Sequence, residues 1–202
     1  MPRIHRGALW TAPRRRNVVG AVALCVLATA GCASVDLAPI EKLDERSGDT
    51  LIIVRRPLDF VRVRPLADGA RDYVRLVALE EDHVGQYNTW LLAYRWTTFE
   101  KAPSPLPDQQ RGTLQISADA RQWSLQPLPV PESLRARADL YAPVPVPYAA
   151  WAYRVTLAEL QAIAASRTLA VSMPQEQYAD PLQLLEDGRQ ALLQFAQREG
   201  PH

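Results

Sequence analysis

Between Thr50 and Val155 the chain reads as a succession of strands. Leu51-Ile52-Ile53-Val54 is a compact β-branched run, and Phe60-Val61-Arg62-Val63-Arg64 alternates apolar with basic positions. Asp68-Gly69 supplies a turn before Tyr73-Val74-Arg75-Leu76-Val77-Ala78-Leu79, so these segments predict an antiparallel meander. The longest candidate is Gln86–Phe99. Its period-two pattern puts Asn88, Trp90, Leu92, Tyr94, Trp96 and Thr98 on one face, and Tyr87, Thr89, Leu91, Ala93, Arg95 and Thr97 on the other. Thr113–Ile116 and Gln122–Leu125, joined near Asp119, predict a second hairpin, and a further strand is expected over Ala149–Val155.

Beyond Val155 the period lengthens. Thr156-Leu157-Ala158-Glu159 fits a capping box, in which Thr156 and Glu159 satisfy free amides of a first helical turn. Leu157, Leu160, Ile163 and Ala164 then share one apolar face. Leu169–Met173 predicts a short strand ended by Pro174. Asp180-Pro181 supplies an N-cap and a first residue for a second helix presenting Leu182, Leu185, Leu192 and Phe195, with Gly188 a weak point within it. The fold class expected is α+β: a mostly antiparallel sheet or sandwich closed by two C-terminal helices.

Ahead of Thr50 the pattern is different. Residues 33–49, with Asp36, Glu41, Lys42, Asp44 and Glu45, have sparse and unperiodic apolar positions and read as a solvated tether, with one helical turn around Ile40–Leu43. Before that, a basic stretch ending at Arg16 is followed by the apolar run Val18–Ala28. This is the n-region and h-region of a secretory signal, and it is shorter than the ~20 residues that span a bilayer as a helix. The formal charge of +1 therefore hides an asymmetry. Removing the five arginines of residues 1–31 from the 23 basic residues leaves 18 against 22 acidic ones, a net of −4. Nothing in that balance draws the domain to nucleic acid.

The apolar run ends in Leu27-Ala28-Thr29-Ala30-Gly31-Cys32. Small residues closing on Gly31-Cys32 resemble the lipobox of bacterial lipoprotein precursors. The resemblance covers the signal alone. It implies cleavage after Gly31 and acylation of Cys32, palmitate among the chains, so that the lipid bilayer is the first partner. Two or more chains give stable anchoring where one does not. Ala33 follows the cysteine where an aspartate would signal inner-membrane retention, and by the same resemblance the anchor is expected in the outer membrane, facing the periplasm. The expected organisation is a signal peptide over 1–31, a lipidated N-terminus and tether over 32–49, and one periplasmic domain over 50–202.

Cys25 leaves with the signal and acylation consumes Cys32, so no disulfide is expected in the mature domain. Two histidines remain, His83 and His202. His83 follows Glu80-Glu81-Asp82 in an expected turn and reads as part of a solvated polar loop; no Gly-x-Ser-x-Gly elbow accompanies it. Asp82 and His83 are adjacent, so on a strand they point opposite ways, and no metal site is expected. No phosphate loop or dinucleotide fingerprint is present, so no cofactor is expected. Pro103, Pro105 and Pro107 mark one loop, and Pro127, Pro129, Pro131, Pro143, Pro145 and Pro147 bracket a longer one that suits polyproline II at the surface or protection of a sheet edge.

The aromatic residues offer two readings. Trp90, Tyr94 and Trp96 share a strand face, with Trp123, Tyr148, Trp151 and Tyr153 adding area elsewhere. They fill a core between sheet and helices, or they form a platform for a glycan, peptide or small apolar ligand. Arg62, Arg64, Arg75 and Arg95 are expected in solvated cross-strand pairs with acids. The function expected is a membrane-anchored, non-enzymatic binding or scaffolding domain whose partner is an envelope protein or glycan. The alternatives are a ligand-binding module using the aromatic face and a cell-wall hydrolase using paired carboxylates.

Overall fold

The computed structural model describes residues 35–45, 47–64, 69–98, 112–131, 134, 149–173 and 180–198. Ten strands are present: β1 (Ile40–Leu43), β2 (Thr50–Ile53), β3 (Leu58–Val63), β4 (Arg71–His83), β5 (Gln86–Thr97), β6 (Leu114–Ala118), β7 (Arg121–Leu125), β8 (Ala149–Arg154), β9 (Leu169–Ser172) and β10 (Leu182–Glu186). Two helices join them, α1 (Leu157–Ala164) after β8 and α2 (Arg189–Gln197) after β10. All ten strands belong to one sheet, and every pairing among the described residues is antiparallel.

The organising element is the β4–β5 hairpin. Its ladder runs unbroken from Asp72↔Thr97 to His83↔Gln86. On its far side β5 pairs with β8. The other edge of β4 is shared: Leu79–Asp82 pair with β2, whereas Arg71–Leu76 pair with β3. β2 and β3 are thus one long edge interrupted at Val54–Pro57, where Val54 N–H still donates to Ala78 O at 2.9 Å. From β3 the sheet continues through β10, β9, β6 and β7. Gly188 is packed against this interruption, because any Cβ there would overlap the carbonyl oxygens of Arg56 and Pro57.

Several local expectations hold for a local reason. Thr156 caps α1, its hydroxyl accepting from Glu159 N–H at 3.2 Å while the Glu159 carboxylate accepts from Thr156 N–H at 2.8 Å. A cap of this kind contributes about 1 kcal/mol. Leu160, Ile163 and Ala164 are buried on the face the periodicity marks. The β6–β7 hairpin turns at Asp119, whose carboxylate accepts from the N–H groups of Arg167 and Thr168 and so ties the turn to the chain leaving α1.

Two expectations are corrected. Ile40–Leu43 is neither tether nor helical turn but a strand paired with β2, from Ile40↔Ile53 to Leu43↔Thr50. Asp180-Pro181 does not open a helix: Leu182–Glu186 is β10, wedged between β3 (Gln183↔Val61) and β9 (Gln183↔Ala170). Two flanking strands offer its backbone a partner on each side, which outweighs the helix propensity of leucine. Leu182 is buried, Leu185 is 54% exposed at a register shift, and Gly188 is the N-cap of α2 rather than an interior residue.

Candidate functional site

β4 over Leu76–Glu81 and β5 over Trp90–Tyr94 are buried on both faces, which decides the fate of the aromatic stripe. Trp90 and Tyr94 are 6% and 4% exposed and belong to the core; of the three candidates, Trp96 alone is half-buried. Glu80, on the face opposite Trp90, pairs with Arg198 from the end of α2, so the helix end lies over the other side of the hairpin. On its own face Trp90 is covered by Arg154, its cross-strand partner, with the guanidinium carbon 3.8 Å from the ring centroid. Arg154 Nη1 also donates to Asn88 Oδ1 at 2.6 Å. Trp96 stacks on Tyr73, its partner in the β4–β5 ladder, with centroids 5.1 Å apart and planes 4° from parallel. The Arg75 guanidinium lies 5.8 Å from the Trp96 centroid. The three candidates thus divide into two core residues and one member of a stacked surface pair.

Arg62, Arg64 and Arg75 are paired with acids, as expected, but the pairs are buried rather than solvated, and they fall on opposite faces of the sheet. Arg62 and Arg64 converge on the buried Asp72, with Nη2 of Arg62 at 3.1 Å and Nε of Arg64 at 3.0 Å from Oδ2. Arg62 Nη1 also donates to Asp180 O at 3.1 Å, fastening β3 to the chain entering β10. Burial alone would raise the Asp72 pKa; the hydrogen bonds and charges of Arg64 and Arg62 outweigh it and hold the carboxyl below its ordinary value. One residue out of phase, Arg75 grips Asp59 through Nε at 2.7 Å and Nη2 at 2.6 Å. Arg95 is half-buried on the face that carries Arg62.

His83 is the last residue of β4 rather than part of a loop, and Glu80 and Glu81 before it are buried. Its Nδ1 lies 2.5 Å from Oδ1 of the buried Asp49, while the ring is 61% exposed. The pair links the start of β2 to the end of β4; a histidine held by a carboxylate also occurs in hydrolytic triads, where a nucleophile completes it. Ser47, two residues before Asp49, donates to Asp44 Oδ2 and accepts from Asp49 N–H, which ties it to its own loop. Among the described residues no three or more His, Cys, Asp or Glu side chains gather as metal ligands.

Two arrangements carry no motif and escaped sequence reading. The buried Tyr153 hydroxyl donates to Gly112 O, and burial pushes its pKa up. Leu128, between Pro127 and Pro129, forms an isolated antiparallel bridge with Ala152 (N···O 2.8 and 3.1 Å) that covers part of the outer edge of β8. The flanking prolines have no N–H to extend that ladder. Gly31, Cys32, Tyr148 and Pro143–Pro147 lie outside the described residues.

No protein-family model matches the chain, and no curated protein or solved structure shows significant similarity to it. No helix among the described residues is long and apolar enough to cross a membrane.

Proposed function

We propose that this chain is a bacterial lipoprotein, acylated at Cys32, whose β-sheet domain binds or scaffolds a partner in the cell envelope without catalysing a reaction. The observation that carries the reading is the signal itself: five arginines, an apolar run and Gly31-Cys32, followed by Ala33. The reading is supported by how the domain uses its distinctive side chains. Trp90 and Tyr94 fill the core, and Asp72 and Asp59 are occupied by arginines, so two of the three stripe aromatics serve packing and these two buried carboxylates serve ion pairing. The lipid confines the domain to one surface and raises its effective concentration for partners there.

Cys32→Ser tests the anchor. The wild-type protein should fractionate with the outer membrane and the variant with the soluble periplasm; a variant that stays in the membrane sinks the reading. In-cell crosslinking of both forms tests the scaffolding role: one dominant envelope protein, captured by the wild type and lost in the variant, is expected. A ligand-binding reading rests on the half-buried Tyr73–Trp96 pair beside Arg75. Its signature is a fluorescence change on adding cell-wall glycan fragments that disappears in Trp96→Phe.

A further inference from the structure

The described fold takes hold of the chain almost as soon as the anchor ends. Asp36 Oδ2 is 3.0 Å from Arg55 Nη2, and Arg55 Nε donates to Ala38 O at 2.7 Å. Asp36 Oδ1 accepts from Ala38 N–H at 3.0 Å, closing an Asx turn between the two points that Arg55 grips. In the β1–β2 register Ile40 faces Ile53, so Ala38 faces Arg55 and the clamp extends the ladder by two positions. The residues that follow Arg55 pack against the start of α2, where Gly188 lies close to the carbonyl oxygens of Arg56 and Pro57.

Covalent geometry then sets a limit. Ala33, Ser34 and Val35 separate Cys32 from Asp36, a path of at most about 14 Å between Cα atoms, because an extended chain advances 3.3–3.6 Å per residue. With the clamp open the next holding points are Leu37, partly buried against the core, and then Ile40 in the β1–β2 ladder, and the limit lengthens to about 18 Å and then to about 28 Å. Val35, within the short path, is 59% exposed, and Arg56 beside the clamp is exposed. We propose that the domain sits directly on the bilayer that holds Cys32, with the Asp36–Arg55 clamp and the Arg55–Pro57 bend against the lipid headgroups. The opposite edge of the sheet, where Leu128 bridges to β8, then faces away. From β1 it lies five strand spacings off through β2, β4, β5 and β8, about 24 Å along the sheet. The proposal rests on acylation of Cys32. It makes the lipid surface a contact of the folded domain as well as of the acyl chains, and it restricts partners to those that come to the membrane.

Acylation leaves the mature protein without another cysteine, so a single introduced one gives unique labelling. Full-length lipidated protein carrying a fluorophore at Arg56→Cys or at Leu128→Cys is reconstituted in phosphatidylethanolamine–phosphatidylglycerol vesicles that contain a headgroup-spin-labelled lipid. Strong quenching at Arg56→Cys and little at Leu128→Cys is expected. Adding Arg55→Ala should lose part of the Arg56→Cys quenching. A Gly/Ser spacer of about 20 residues between Ser34 and Val35, adding ~25 Å of mean reach, should lose most of it. Equal quenching at the two sites, or quenching that survives the spacer, overturns the seating while leaving the anchor intact. Mass spectrometry of the Cys32 peptide separates the two failures: an unmodified Cys32 in protein that does not join the vesicles overturns the anchor and the seating together.

Discussion

His83 and Asp49 form the rung that follows Thr50↔Asp82 in the β2–β4 ladder, and they join by side chains where the strands have stopped pairing by backbone. The hydrogen bond to Asp49, then the charge of Asp49 with smaller help from Glu81 and Asp82, raises the His83 pKa above its ordinary 6.5. A raised histidine pKa gives stability that is fully present below the unfolded value and is lost as pH rises through the folded one. The melting temperature of the wild type should therefore fall, relative to His83→Gln, as pH climbs from below 6.5 through that raised value. Parallel melting curves for the two proteins across that range would show that the pair has no energetic role.

Val84-Gly85 closes the β4–β5 hairpin in two residues with φ of +51° and +80°. Such a turn needs the left-handed region at both central positions, and a β-branched side chain is strained there. Val84 is 89% exposed, so replacing it forfeits almost no burial. Val84→Asn should raise stability by about 1 kcal/mol, read from the urea midpoint. An unchanged or lower midpoint would place the strain elsewhere.

Gly188 has an ordinary φ of −88°, so its requirement for glycine is steric rather than conformational. A methyl group there meets backbone carbonyl oxygens, which cannot rotate away as a side chain would. Gly188→Ala should cost about 1–3 kcal/mol by separating the start of α2 from the β2–β3 interruption. Wild-type stability in this variant would mean that the two segments part freely.

Asp72 is the shared counter-ion of Arg62 and Arg64, and it is 1% exposed. Removing one partner of a buried pair leaves an uncompensated charge, so Asp72→Ala should destabilise by about 3–5 kcal/mol. A carboxyl held below its ordinary pKa contributes stability above the unfolded value near 3.8 that is lost as pH falls through the folded one. Wild-type protein should accordingly lose stability on acidification below about pH 4, and Asp72→Asn should flatten that limb. Equal acid sensitivity in both would exclude Asp72 as its source.

What the sequence made legible was short in range. β-branched runs and period-two alternation located β2 to β9, except that the expected turn at Glu80–His83 is the end of β4, and Thr156 with Glu159 marked the start of α1, because a pleat or a cap involves groups at most three or four residues apart. The same reading failed for β1 and β10. Glu41 and Lys42 look solvated in isolation, and a leucine-rich segment after Asp-Pro suits a helix as well as a strand. Of the proposed aromatic site, the shared face of Trp90, Tyr94 and Trp96 was legible; which of them reached solvent was not.

The chain by itself determined where its strands alternate and where α1 begins, and it carries the Gly31-Cys32 sequence on which the proposed anchor rests. Tertiary structure decided that β2 and β3 share one edge of β4, that Leu182–Glu186 is a strand, and that Trp90 and Tyr94 are core. The physical reason is the same for all three. A backbone donor is satisfied by water or by a partner strand, and an apolar ring leaves water only where the fold supplies something to cover it; here Gln183 finds Val61, and Trp90 finds Arg154, across more than sixty residues of chain.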